Sequence, residues 1–537
     1  MAQSDYLIIL FALVIYRPLK LAALLGKPRM LHDWSDLLGT RHEGTLRLLD
    51  RYFLSRWVPP VTLTAFSLLA CPVASWTAID PTHSLRILVG LSSVMLAWKS
   101  VTCDIDLATG RKLIIERLVV VFAAAGVIAY PGFLFLLLFT AINYFRGWQH
   151  HQHLQIRILL LILASWIGFV ILSAFGDIRP ITSAGLFVSL LVIGAQYLVP
   201  GISKCRLGRR WYSWAWHNRL DYLPVAAYCW GWRRFLSEER VIRWTRVLVK
   251  MNRPMQISVM ALEIAMAFTM FDRRMAVLIL GAMALFHLAV FVLAGLLFWQ
   301  NIAVLTAMAG LLLFLPEAVS DQLFGPVNGT LGCTLMFGLT YGVRLWRPLK
   351  LSWWDTPLIS RTDWIVEGVS GKLYGLYNDF LEPNDRIFGN KSGYFLSHHK
   401  RLTEHSGHAV TWAVASAIYE SLSSPKRLKE EIERLGEDPY DEHQRSEHDR
   451  YMLAFLTNFN LGKPKRVCPA WLKAPGDQYC RWGQLPRFLG QEQVDRLSMR
   501  HREEVFDGNR IVTLRDELIM VIDIPTSSDE SEPVLER

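Results

Sequence analysis

Leu186-Phe187-Val188-Ser189-Leu190-Leu191-Val192-Ile193-Gly194-Ala195-Gln196-Tyr197-Leu198-Val199-Pro200-Gly201-Ile202-Ser203-Lys204 is an apolar run that meets a Pro-Gly pair and ends on a lysine. Cys205-Arg206-Leu207-Gly208-Arg209-Arg210-Trp211 follows at once, cationic and aromatic. An apolar stretch closed by Lys, Arg and Trp is the pattern of a segment leaving lipid for headgroups. The same stretch poses the functional question. Lys204 is either an ordinary anchor at the lipid boundary or an amine set up for chemistry.

Comparable runs recur along the first two thirds of the chain, at 58–79, 85–101, 158–175, 184–200, 256–271, 275–298 and 301–315, with a weaker one at 329–343. Residues 6–16 are apolar too, but Arg17-Pro18 interrupt them, which suits a first span or an interfacial helix equally. The long run 118–145 is divided by Tyr130-Pro131-Gly132 and is read as one kinked span, with two half-helices as the alternative. The 537 residues are 52% hydrophobic yet 19% charged, and the charge gathers after Val343. Apolar windows of this length fit membrane spans better than soluble core helices, which are shorter and striped. The expected fold is an all-α polytopic membrane helical bundle of about 8–10 spans with a polar, mainly helical C-terminal region.

The expected organisation is an N-terminal apolar or interfacial segment (1–56), a transmembrane domain (57–344), a polar C-terminal region (345–523) and a disordered acidic tail (524–537). The net charge of +10 raises nucleic acid as a partner. No nucleic-acid motif accompanies it, and in a membrane chain clustered Arg and Lys mark cytoplasmic loops and the anionic leaflet. On that rule the basic 205–254 loop and the start of the C-terminal region are both cytoplasmic. Seven cysteines suggest neither a disulfide framework nor a CxxC metal pair. Met-Ala-Gln-Ser-Asp at the N-terminus lacks the basic n-region of a cleaved signal peptide. The expected location is therefore an integral, multi-pass place in a membrane, the inner one in a bacterium, with membrane lipids as partners. The oligomeric state is not legible.

Ionisable residues inside apolar runs cost several kcal/mol, so each asks for a reason. Glu263 lies within 256–271 and His287 near the middle of 275–298. Each could be a structural group satisfied by a neighbouring helix. Trp148-Gln149-His150-His151-Gln152-His153 precedes the 158–175 run and places three histidines within four residues. A metal is not expected there, because no second box of matching spacing follows in the membrane part. Counting directions returns 184–200 to the face that carries His150–His153, with Lys204 at its end. Glu263 and His287 follow at intermediate depth, so all of these groups can converge on one half of a bundle. A solvated lysine amine is protonated at neutral pH and cannot serve as a base. Partial burial beside Arg206, Arg209 and Arg210 would disfavour the charged form.

Four segments resemble the vitamin K-dependent gamma-carboxylase and its wider HTTM (horizontally transferred transmembrane) domain family. They are Trp148-x-x-His151-x-x-Leu154, Tyr197-x-x-x-Gly201-x-x-Lys204, the acidic Glu263, and Phe286-His287 placed 24 residues beyond it and continuing to Gly295-x-x-Phe298. By their order and spacing the resemblance covers roughly residues 50–310. The resemblance implies a membrane site sized for a quinone or lipid, with Lys204 as the base that deprotonates a reduced, vitamin K-like quinone. It implies His151 and His287 as catalytic partners, and His150, His153, Glu263 and Trp148 as groups that bind the quinone. It implies a carboxylase-like lyase or oxidase with a lipid, quinone or peptide substrate and no metal. His150 stands where the carboxylase has asparagine, and Ser203 where it has a second lysine. A non-catalytic membrane protein that binds a lipid or a partner is the alternative from another class.

Overall fold

The structure is a computed structural model. It describes residues 1–22, 75–102, 107, 113–145, 153–232, 236–346, 348–377, 380, 393–404, 407–463 and 485–526. The helices of the membrane part are α1 (Gln3–Ala22), α2 (Ser84–Thr102), α3 (Ile114–Ala129), α4 (Leu134–Phe145), α5 (His153–Ser173) and α6 (Thr182–Cys205). Two short helices, α7 (Ser213–His217) and α8 (Leu223–Cys229), lead to α9 (Glu238–Ala265), α10 (Arg273–Ala294), α11 (Trp299–Leu313), α12 (Glu317–Leu323) and α13 (Pro326–Phe337).

Among the described residues, four helices are long and apolar enough to cross a membrane: α2, α5 from Leu154, α6 and α10. Helices α11 and α12, bent by 117° at their junction, make a fifth if counted as one broken span. The chain is thus a mostly helical, multi-pass membrane protein, and the expected run at 58–79 lies largely outside the described residues. Helix α6 is its axis. Most of its side chains are buried, and it packs against α1, α5, α9 and α13. Helix α1 belongs to this bundle, and its Arg17 guanidinium donates to the backbone carbonyls of Val343 and Arg344.

Two expectations about the membrane part need correction. The 118–145 run is not one kinked span: the chain breaks at Tyr130, passes a 3-10 turn at Pro131–Phe133, and folds α4 back onto α3. Proline removes a helical donor here and Tyr130 is extended, so the ladder cannot continue. The run 256–271 is not an element of its own. Residues 256–265 are the end of the 28-residue α9, which begins in the basic segment read as a loop and carries Pro254 inside it, and a 3-10 turn at Met266–Phe268 follows.

The C-terminal region is mixed α/β rather than mainly helical. Strands β1 (Trp354–Asp355) and β4 (His408–Ala409) form a small pair. Strands β2 (Leu358–Gly368), β3 (Leu373–Gly375), β5 (Val494–Phe506) and β6 (Ile511–Asp523) form an antiparallel sheet in the order β3-β2-β5-β6. Helices α14 (Trp412–Ser421), α15 (Pro425–Leu435) and α16 (Glu442–Asn460) complete it. Composition hid the sheet because its strands carry many charges. The period is nonetheless two: Leu497 and Met499 are fully buried, with Arg496 and Ser498 alternating between them. Gly508, at φ +100°, allows the tight return from β5 to β6.

Candidate functional site

The site lies where α6 meets α9. Gly194, Tyr197, Gly201 and Lys204 recur every three to four residues and so share one face of α6. Gly201 is what lets the helices close. A Cβ there would sit 3.0 Å from Glu263 Cβ and 3.2 Å from the backbone nitrogen of Ile264. That approach brings Glu263 under Lys204, whose Nζ donates to Oε1 at 2.7 Å and Oε2 at 2.8 Å. Both side chains are about nine-tenths buried or more, and the amine also lies 5.3 Å from the centre of the Trp214 ring. Lys204 is therefore no anchor reaching for headgroups.

Two of the three arginines thought to crowd it point elsewhere. The Arg206 guanidinium lies over the Tyr341 ring, and Arg210 lies over Tyr212 and bonds its hydroxyl. Lys204 is met by a counter-charge instead of like charges, because the adjacent helix supplies a carboxylate at the same level.

Two turns up α6, roughly 10 Å along its axis at 1.5 Å per residue, Tyr197 meets His287 of α10. The hydroxyl and Nε2 are 2.8 Å apart, and Asn301 Nδ2 of α11 donates to the same hydroxyl at 3.2 Å. With Asn301 as donor, the Tyr197 proton is free to point at Nε2, which leaves the proton of a neutral imidazole on Nδ1. That Nδ1 is buried and has no hydrogen-bond partner. Phe286 and Phe298 pack against the ring, with centroids at 5.4 and 5.0 Å.

Below Lys204 the site is closed by the C-terminal region. Asn218, fully buried after α7, donates from Nδ2 to Asp355 of β1 at 2.6 Å and accepts the Asp355 backbone N–H at 2.7 Å. Its carbonyl accepts from Asn252 at 2.9 Å and from Gln256, both on α9. Trp353 Nε1 donates to Asp355, and His408 Nε2 lies 3.5 Å from it while its ring stacks on Trp353. Burial raises the Asp355 carboxyl to about 6, against the opposing pull of its bonds from Asn218 and Trp353.

The structure thus joins Lys204 to Glu263 and places His287 on the same face of α6 through Tyr197. Trp148, His150 and His151 lie outside the described residues, and His153 is the first residue of α5. His398 and His399 lie in the segment after the Tyr394–Leu396 turn and pair with Asp438 and Glu517, whereas His408 belongs to the site's lower wall. Among the described residues, no group of three His, Cys, Asp or Glu side chains is placed to hold a metal ion. Tyr197 was visible in the sequence as a motif residue. Asn301 gave no signal, since a polar residue at the end of an apolar run looks like its boundary, and Asn218 and Asp355 gave none because they lie in polar stretches. No family model, curated protein or solved structure matches the chain.

Proposed function

We propose that the Lys204–Glu263 pair is a proton-accepting site for a weakly acidic, lipid-soluble substrate of the reduced-quinone class. The observation that carries this is the burial of a lysine whose amine donates to both oxygens of one carboxylate. Such a pair is costly to bury and contributes little to stability compared with apolar residues of similar volume. It is also net neutral, so an acidic O–H can approach without meeting an uncompensated charge.

The residues around it fit a reduced quinone. Glu263 and Lys204 supply an acceptor and a donor at one end. His287 Nδ1, an unsatisfied donor, and Tyr197 stand at the other, with Phe286 and Phe298 beside them. The quinol would supply an acidic hydroxyl and electrons for oxidation. The chain's own part is to take the hydroxyl proton onto the Glu263–Lys204 pair, hold the far ring oxygen at His287, and exclude water with the C-terminal wall. The resemblance to the carboxylase and HTTM family points the same way for Lys204 and His287.

The test is oxidation of a naphthohydroquinone by the detergent-purified chain, read by absorbance after oxygen is admitted. Lys204→Ala is expected to slow it at least about a hundredfold per folded molecule, the usual scale for loss of a general base. The double replacement Lys204→Met with Glu263→Leu, which leaves no stranded charge, is expected to slow it as much while staying close to wild type in thermal stability. Unsaturable binding of the naphthohydroquinone by the wild type, or an unchanged rate in the variant, would remove the reading and leave a lipid- or partner-binding protein.

A further inference from the structure

The C-terminal sheet carries a second polar cluster, built from residues the α6 site does not use, whose hydrogen bonds do not close. On β5, His501 and Glu503 are two residues apart and so project to one face of the sheet. Across the ladder on β2, Thr362 pairs with His501 and Ser360 with Glu503. The segment Tyr394–Arg401 lies over this face: Tyr394 donates to the Ser360 carbonyl at 2.7 Å, and the Arg401 guanidinium sits 3.7 Å from the Tyr394 ring centre. Ser360, Arg401, His501 and Glu503 are all at least 95% buried.

Arg401 Nη2 lies 3.0 Å from His501 Nδ1. A guanidinium has only donors, so Nδ1 is the acceptor and the imidazole proton sits on Nε2. That Nε2–H is buried with no acceptor at full hydrogen-bond geometry, only a weak pull from the Arg361 backbone. Arg401 Nε and Nη1 are buried with no partner, and so is the Ser360 hydroxyl. No carboxylate lies within 4 Å of Arg401 among the described residues. An unpaired buried guanidinium is among the most expensive groups a fold can carry. The single unpartnered acceptor in the patch is Glu503 Oε1; burial raises its carboxyl to about 7 against the pull of Arg401, so near neutral pH it is only partly ionised and only partly offsets the guanidinium. Beside the patch, Arg515 bonds His399, whose ring stacks on His501 at 5.1 Å, and there the charges are matched, with Glu433 and Glu517 each 3.9 Å from Arg515.

Unsatisfied donors outnumber unsatisfied acceptors on a buried patch with a cation at its centre, and what is missing is an anion with several lone pairs. We propose that this patch binds a small oxyanion, the carboxylate or phosphate group of a ligand, through Arg401, His501 and Ser360. The site is independent of the α6 face and of the function proposed for it.

The experiment is thermal unfolding of the full-length chain in detergent, with sodium phosphate, sodium acetate or sodium chloride added at matched ionic strength. A saturating rise in melting temperature is expected with one oxyanion and not with chloride. Phosphate as the effective ion marks a phosphorylated ligand, and acetate a carboxylated one. Ser360→Ala is expected to weaken the response about tenfold in concentration, the scale of one hydrogen bond to a charged group, and to leave the unliganded melting temperature unchanged. Arg401→Lys is expected to abolish saturation. If both oxyanions behave like chloride, or if Ser360→Ala responds as the wild type does, the proposal is overturned even should the Arg401 variant fail to fold.

Discussion

The two buried clusters, one on α6 and one on the C-terminal sheet, solve the same problem in opposite ways. Lys204 has its counter-ion within the chain, bonded through both oxygens. Arg401 does not: its neighbours are an imidazole, an aromatic face and unpartnered hydroxyl and carboxyl groups. The difference teaches how to separate a charge that the fold completes from one that the fold leaves open. The first should be sensitive to truncation of its partner, the second to what is dissolved around it.

The largest effect should come from breaking the completed pair. Glu263→Ala strands a buried ammonium and is expected to cost about 3–5 kcal/mol, read by chemical or thermal denaturation in detergent. Replacing both partners, Lys204→Met with Glu263→Leu, should recover most of that loss. No recovery would mean that the α6–α9 interface itself was damaged.

The open cluster should answer to pH. Glu503 is raised in the folded chain, so its contribution is fully present below its ordinary value near 4.5 and is lost as pH rises through about 7. Between those limits the wild type should lose on the order of 2–3 kcal/mol that Glu503→Gln does not lose. Parallel pH profiles for the two proteins would contradict this.

Tyr197→Phe leaves both ring nitrogens of His287 without a partner and is expected to cost about 1–3 kcal/mol, measured by denaturation. The smallest effect belongs to Gly201→Ala, whose methyl would press on Glu263 and the Ile264 backbone. About 1 kcal/mol is expected, with a larger drop in hydroquinone oxidation than in stability, because the shift falls on the pair itself.

The α6 site was partly legible because lipid makes ionisable residues conspicuous. Lys204, Glu263 and His287 stood out against apolar runs, and counting the directions of the spans let them converge on one half of a bundle. Asn301 and Asp355 were not legible. One closes the site from a helix start and the other from a two-residue strand, and neither interrupts a pattern. The oxyanion cluster was invisible for a different reason. His501, Glu503 and Arg401 meet only through strand register and an overlying segment, while the charged strands of that region read as mixed helix. The mistaken loop at 205–254 has the same origin, since the polar first half of α9 masks the continuity of a helix with a more apolar end.

Tyr197 and Lys204 are held in phase by a single uninterrupted helix that runs through Pro200 and Gly201. Their separation is therefore a ruler marked in whole residues and cannot be tuned gradually. One residue inserted between them would turn Lys204 about 100° away from α9, whereas an insertion of four would restore its bearing but move it about 6 Å along the axis. Chains that share this chemistry should keep the seven-residue interval before they keep the identity of anything between its ends.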